Sequence, residues 1–242
     1  MEKNIKKKIT KMAVNNYASS KEQLFYRILD TVKTFVSDFQ KKDRLEFLYE
    51  ADIQANLSYE LAKAIGNLNV TFYSDDLSTE AEKLSLITRE YPVASESSRG
   101  RFDIACINPE MIEQYFKWRL EINKNKPIGI NTICWELPLL VGIEIKYSII
   151  GNEGGISGIQ KDLEKLKSYN DYYKKRYNRD DRLTFTKDFQ YLALQFFQDE
   201  DRFDELIEEE YEKFQQVNEI NHFDCVYLVG KKRIFKNQVS EK

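Results

Sequence analysis

The apolar positions of the chain follow two rhythms. The first is helical. Leu24, Phe25, Ile28, Leu29, Val32, Phe35, Val36 and Phe39 recur every three or four residues, which predicts an amphipathic helix ending near Lys42. Ser19-Ser20-Lys21-Glu22 precedes it with capping-box spacing. Its wide apolar face packs either on the domain or on a second subunit. A second helix is expected over 43–65, with Gly66 as its stop. The apolar arc contains Phe47, Ile53, Leu57, Leu61, Ala64 and Ile65, and at about 100° per residue Glu50 falls near its middle. Glu46 lies on the same side and Glu60 towards the edge. Glutamate is rarely buried alone, so Glu50 is a candidate functional group. The plainer reading is a helix-start glutamate that reaches solvent.

The second rhythm is that of strands. Residues 69–73 read as a short strand, 79–90 as a short helix with Thr79 and Glu82 at capping-box spacing, and 91–94 as an edge strand. A polar turn over 95–100 leads to a strand over 101–107, with Phe102, Ile104 and Cys106 on one face and Asp103, Ala105 and Ile107 on the other. Asn108-Pro109 opens a helix through Met111, Ile112, Tyr115, Phe116 and Leu120. After a polar loop over 124–131, a strand starts at Ile133 or Leu139 and runs to Ser148. The glycines of 151–155 match neither a dinucleotide-binding nor a P-loop spacing. A Lys-rich amphipathic helix is expected over 157–177, a central strand over 189–197, an acidic helix over 201–217 and a last strand over 223–229. Basic residues mark both ends, in 1–18, read as a mobile tail, and in 231–236.

Composition narrows the class. The 242 residues suit one domain with a sizeable core. No apolar run approaches the roughly 20 residues of a membrane span, and the first residues lack the apolar core of a secretory signal. Cys106, Cys134 and Cys225 form no paired motif, which speaks against structural zinc and a disulfide framework and for a cytoplasmic setting. His222 is the one histidine, which weakens any scheme built on a Ser-His or Cys-His pair. The net charge of -3 does not advertise nucleic-acid binding, but the charge is distributed in local patches.

The chemistry starts from Leu139-Leu140-Val141-Gly142-Ile143-Glu144-Ile145-Lys146-Tyr147. Glu144 and Lys146 project to the same face of an otherwise apolar strand. A charge there is costly unless paired or bound to a metal. Asp103 also interrupts a strand, against propensity; its plainer role is to pair with Arg99 or Arg101. If the two strands are neighbours, Asp103 and Glu144 meet at one end of the sheet. Two or three oxygens gathered this way suit Mg²⁺ or Mn²⁺. Lys146 then stands beside the attacking water and stabilises charge developing on a phosphate.

With Asp103 in Arg-Phe-Asp-Ile-Ala, Glu144 and Lys146 in Gly-Ile-Glu-Ile-Lys-Tyr, and Glu50 in Tyr-Glu-Ala-Asp-Ile-Gln, the chain resembles the PD-(D/E)xK nuclease superfamily over about 43–197. The resemblance implies an α/β (α+β) fold with a restriction-endonuclease-like core. This is a mixed central β-sheet flanked by helices, with an N-terminal helix and a helical insertion between the two motif strands. Residues 1–18 would be a basic tail, 43–197 the core, and 198–242 a C-terminal helix and strand. It further implies a Mg²⁺ or Mn²⁺ site formed by Asp103, Glu144 and the Ile145 carbonyl, with Glu50 contributing directly or through water. Lys146 would position or activate water, giving a 5′-phosphate and a 3′-hydroxyl. The substrate the resemblance implies is nucleic acid, DNA before RNA, and double-strand cleavage would favour a homodimer. Gln160, Lys161, Arg99 and Arg101 are further candidates for substrate contact. Two other readings stay open: a catalytically idle member serving as a nucleic-acid-binding or assembly module, and a soluble interaction protein whose Glu144–Lys146 pair is a strand salt bridge.

Overall fold

Lys21–Lys41 forms helix α1, and its inward face is the one its spacing predicts: Leu24, Ile28, Val32, Phe35, Val36 and Phe39 are buried. The structure, a computed structural model, describes residues 9–15, 19–41, 49–74, 79–94, 99–122, 137–148, 190–197, 225–229 and 234–238. The capping box lies one residue later than expected. Gln23 N–H donates to Ser20 Oγ at 3.3 Å, and Ser20 N–H donates to Gln23 Oε1 at 3.1 Å. Lys21 N–H donates to Glu110 Oε1 at 2.8 Å, a carboxylate at the positive end of the helix. Phe39 and Phe35 meet Phe196, with ring centroids 4.7 and 6.2 Å apart. The apolar face is thus covered by this chain, and it gives no argument for a second copy.

Helix α2 (Glu50–Ile65) packs on α1. It ends where expected, at Gly66, whose φ of 72° suits glycine and whose N–H donates to the Ala62 carbonyl at 2.9 Å. Its buried stripe is Ile53, Gln54, Leu57, Ser58, Leu61 and Ile65. Glu50 is the first residue of the helix and is half-buried, so it stands at the end of the stripe and not in its middle; Ala64 is exposed. Glu60 pairs with Lys63 at 3.7 Å on the surface. Glu46 and Phe47 lie outside the described residues.

The strands form two sheets. The smaller has the antiparallel order β1 (Ile9–Asn15), β2 (Asn67–Ser74), β3 (Thr79–Ser85). It corrects two expectations. Part of the supposed tail is β1, with Val14 packed against the core. The helix expected over 79–90 is instead β3 and the start of β4 (Ile87–Ala94). Helix propensities differ by only tenths of a kcal/mol per residue, and here the open edge of β2 offers a continuous row of backbone partners from Ser85 to Thr79. Exposed Glu82 and Lys83 suit β3 as a solvated edge strand.

The larger sheet has the order β4, β5 (Arg99–Ile107), β6 (Leu139–Ser148), β7 (Gln190–Phe197), β8 (Cys225–Val229), β9 (Ile234–Gln238). β4, β5 and β6 pair antiparallel, β6, β7 and β8 parallel, and β9 antiparallel to β8. The fold is therefore mixed α/β, with three helices and two sheets among the described residues. β6 and β7 lie in the middle of the larger sheet and read as near-continuous apolar runs, as strands buried on both faces do. β9 takes up part of the segment read as a basic end. Helix α3 (Pro109–Ile122) begins after Asn108, whose Oδ1 accepts the Glu110 N–H at 3.2 Å. It lies between β5 and β6 in the chain, where a helical insertion is expected, and it packs against the smaller sheet, on β1 and, through the Phe116 and Phe72 rings 5.5 Å apart, on β2. The loops expected over 95–98, 124–131 and 151–155, the helices expected over 157–177 and 201–217, and the basic residues 231–233 lie outside the described residues.

Candidate active site

Asp103 and the Glu144–Lys146 pair lie on adjacent strands, β5 and β6. The two strands pair regularly where both are apolar, at Cys106↔Val141, Ala105↔Gly142 and Ile104↔Ile143. One residue further on, a side chain replaces the backbone ladder: Asp103 Oδ2 accepts the Ile145 N–H at 2.6 Å. Gly142 permits this arrangement to close, because a Cβ there would stand 2.6 Å from the Phe102 ring. Phe102 is fully buried and occupies the position before Asp103.

Glu144 is 7% exposed, and its carboxyl lies close enough to that of Asp103 for a side-chain interaction that lowers the Asp103 pKa. Burial pushes the Asp103 pKa above the ordinary carboxylate value. The Ile145 amide, Glu144 and the Lys146 charge pull it back, and Glu90 adds to the rise. Two carboxyl groups in contact do not both ionise readily unless a cation lies between or beside them. Lys146 Nζ lies 3.7 Å from Glu50 Oε1, with 28% and 39% of the two side chains exposed. Tyr147 N–H donates to Glu50 Oε2 at 3.3 Å. Burial, and then the nearby Asp52 charge, raise the Tyr147 pKa. The site is thus a buried Glu144 and a half-buried Asp103 beside an ammonium that opens to solvent.

The structure brings Asp103, Glu144, Ile145 and Lys146 together. Glu50 is brought to the lysine and to the end of β6, so it is a partner of Lys146 and not a third carboxylate beside Asp103. Among the described residues, no three His, Cys, Asp or Glu side chains gather closely enough to hold a metal ion. Asp103 does not pair with Arg101, whose Nη1 lies 3.6 Å from Glu90 Oε2 on the surface. Arg99 lies in β5. Gln160 and Lys161 lie outside the described residues. Two carboxyls and a backbone carbonyl are donors of the kind Mg²⁺ takes, with waters and substrate phosphate completing its shell, so Asp103, Glu144 and the Ile145 carbonyl are the residues that could hold one.

Three residues of this region are absent from the sequence-based expectation. Gln54, 9% exposed, donates from Nε2 to the Asp103 carbonyl at 2.6 Å and to Glu90 Oε1 at 3.1 Å. Gln195 is fully buried and registers with Lys146 across the parallel β6–β7 pair, which puts both on one face of the sheet. Each is a polar residue inside an apolar pattern, the same signal that singles out Glu144. Glu90 carried no such signal. Among the described residues it is the only non-glycine with positive φ, at 51°, a conformation set by its surroundings. No described helix is long and apolar enough to cross a membrane. No family model, curated protein or solved structure matches the chain.

Proposed function

We propose that the protein is a metal-dependent nuclease that hydrolyses phosphodiester bonds, in DNA before RNA, on a restriction-endonuclease-like core. The observation that carries the reading is the contact of the Asp103 and Glu144 carboxyls beside Lys146, at the point where β5 and β6 part. A strand salt bridge needs one acid for one lysine. Here Lys146 already has Glu50, and two further carboxyls remain in contact with each other under the penalty of burial. That surplus of negative charge is what a cation site requires.

Asp103, Glu144 and the Ile145 carbonyl would hold Mg²⁺ or Mn²⁺, which supplies positive charge to the substrate phosphate. The protein's own groups do the rest. The Asp103–Ile145 hydrogen bond fixes one carboxylate oxygen of Asp103. Lys146, held by Glu50, presents N–H donors where charge builds on the phosphate and where water approaches. Water attacks phosphorus, the bond to the 3′-oxygen breaks, and the departing oxygen takes up a proton, leaving a 5′-phosphate and a 3′-hydroxyl.

The test is cleavage of plasmid, linear duplex, single-stranded DNA and RNA with Mg²⁺ or Mn²⁺, alongside Glu144→Ala and Lys146→Ala. Cleavage that depends on metal and vanishes in both variants supports the reading; activity that persists in both sinks the site. The Lys146–Glu50 ion pair also suits an idle, binding-only protein. Calorimetry with Mn²⁺ separates the two, because the nuclease reading requires binding in the parent and its loss in Asp103→Ala.

A further inference from the structure

We infer that Gln54 is a positioning residue for the Asp103 carboxylate, and that its side-chain amide holds open the gap in which the site lies. The inference rests on the reading of Asp103 and Glu144 as metal ligands. At Asp103, β5 departs from regular pairing on both sides. Towards β6 the register stops at Ile104↔Ile143, and the Ile145 N–H turns to the Asp103 side chain. Towards β4 the register runs from Arg89↔Ile104 to Tyr91↔Phe102 and passes over Glu90, whose φ is 51°. A left-handed residue in mid-strand turns the backbone out of the pleat. The Asp103 carbonyl lies in this gap, part-buried, and a carbonyl withdrawn from water needs a donor.

Gln54 Nε2 is that donor, at 2.6 Å. One amide nitrogen carries two N–H groups; the second reaches Glu90 Oε1 at 3.1 Å and ties down the kinked residue of β4. Gln54 sits one helical turn after Glu50, on the same side of α2. The helix therefore grips the site at two points: Glu50 holds Lys146 and the Tyr147 N–H, and Gln54 holds Asp103 and Glu90. Because α2 is rigid between these points, the spacing of the aspartate strand and the lysine strand is set by one element. Neither a carboxylate nor an apolar side chain at position 54 could do this. The first has no proton to give at neutral pH and would face Glu90, and the second leaves the carbonyl unsatisfied.

Two variants test it. Gln54→Met keeps the volume and removes both donors. Gln54→Glu keeps the shape and replaces the amide by a carboxylate. In each, calorimetry on the substrate-free protein should show Mn²⁺ affinity falling by about 10–100-fold, the range for groups that orient metal ligands. On DNA, kcat should fall by a similar factor with KM close to the parent's, since no substrate contact is removed. The Ile145 amide proton, donated to a carboxylate, should resonate far downfield in the parent and move upfield in both variants. A folded Gln54→Met protein with the parent's Mn²⁺ affinity and an unmoved Ile145 resonance overturns the inference. If neither variant folds, exchange of the Gln54 side-chain amide protons in the parent decides: slow exchange supports it, and exchange as fast as that of an exposed amide overturns it. A parent that binds no Mn²⁺ and cleaves nothing refutes the nuclease reading, while the Ile145 resonance still decides the positioning role.

Discussion

Helices α1 and α2 pack on each other and on the same sheet, yet their buried faces differ in kind. The inward face of α1 is wholly apolar, from Leu24 to Phe39. That of α2 includes Gln54 and Ser58 and starts at Glu50. The Ser58 hydroxyl returns to the Gln54 carbonyl of its own helix, and the Gln54 side chain leaves the helix for β5 and β4. An apolar face stabilises through the area it removes from water and tolerates small shifts in position. A polar contact in a buried place depends on distance and angle. The comparison separates a helix that holds the sheet from a helix that places groups on it.

The largest expected effect lies on the second helix's side of this division. Lys146→Ala should lower the cleavage rate by about 10²–10⁴-fold, the usual worth of a positioned proton-handling group, with a melting temperature near the parent's. A large drop in stability would mean that Lys146 is structural, and the division would break. Next is the first helix. Phe39 is 1% exposed and packs at a tilt against Phe196, so Phe39→Ala should cost about 3–5 kcal/mol in urea unfolding. Mn²⁺ affinity per folded molecule should not change.

A smaller effect, of opposite sign, is expected at Asp103. Its carboxyl titrates higher in the folded protein than in the unfolded chain, chiefly through burial. The associated stability is complete below the unfolded value and is lost as pH rises through the folded one. Asp103→Asn keeps an acceptor for the Ile145 N–H and removes this loss. The metal-free variant should therefore be more stable than the parent at pH 7, by about 0.5–2 kcal/mol, with the gap closing as pH falls towards the unfolded value. Equal stability at both ends of a pH series of urea titrations would contradict the assignment. The smallest effect is on the solvent side of α1. Lys41 and Asp38 pair at 2.9 Å, with 72% and 49% of their side chains exposed. Lys41→Ala should change stability by less than about 0.5 kcal/mol, and the difference should vanish at high salt.

Much of this was legible in the residues because it depends on local period. The α1 stripe, the Gly66 stop, the Asn108-Pro109 start and the strands around Asp103, Glu144 and Gln195 all repeat at spacings that any short window reveals. The errors have one cause. Thr79-Glu80-Ala81-Glu82-Lys83 is a good helix sequence, and its strand conformation comes from β2, a partner that no local window contains. The same holds for Ile9–Asn15, whose strand is completed by residues 69–74. Glu50 was expected near the middle of the apolar arc and lies instead at the first position of the helix, because the angle around an ideal helix does not say where that helix begins.

The sequence by itself determined that a carboxylate and an ammonium share one face of an apolar strand, and that an aspartate interrupts an earlier one. Alternation of side chains along a strand decides both. Only the tertiary structure decided that these strands are neighbours, that their ladder ends at Ile104↔Ile143, and that Gln54 crosses from α2 to the Asp103 carbonyl. Those contacts join residues between 32 and 49 positions apart, and no periodicity encodes which distant backbone will need a donor.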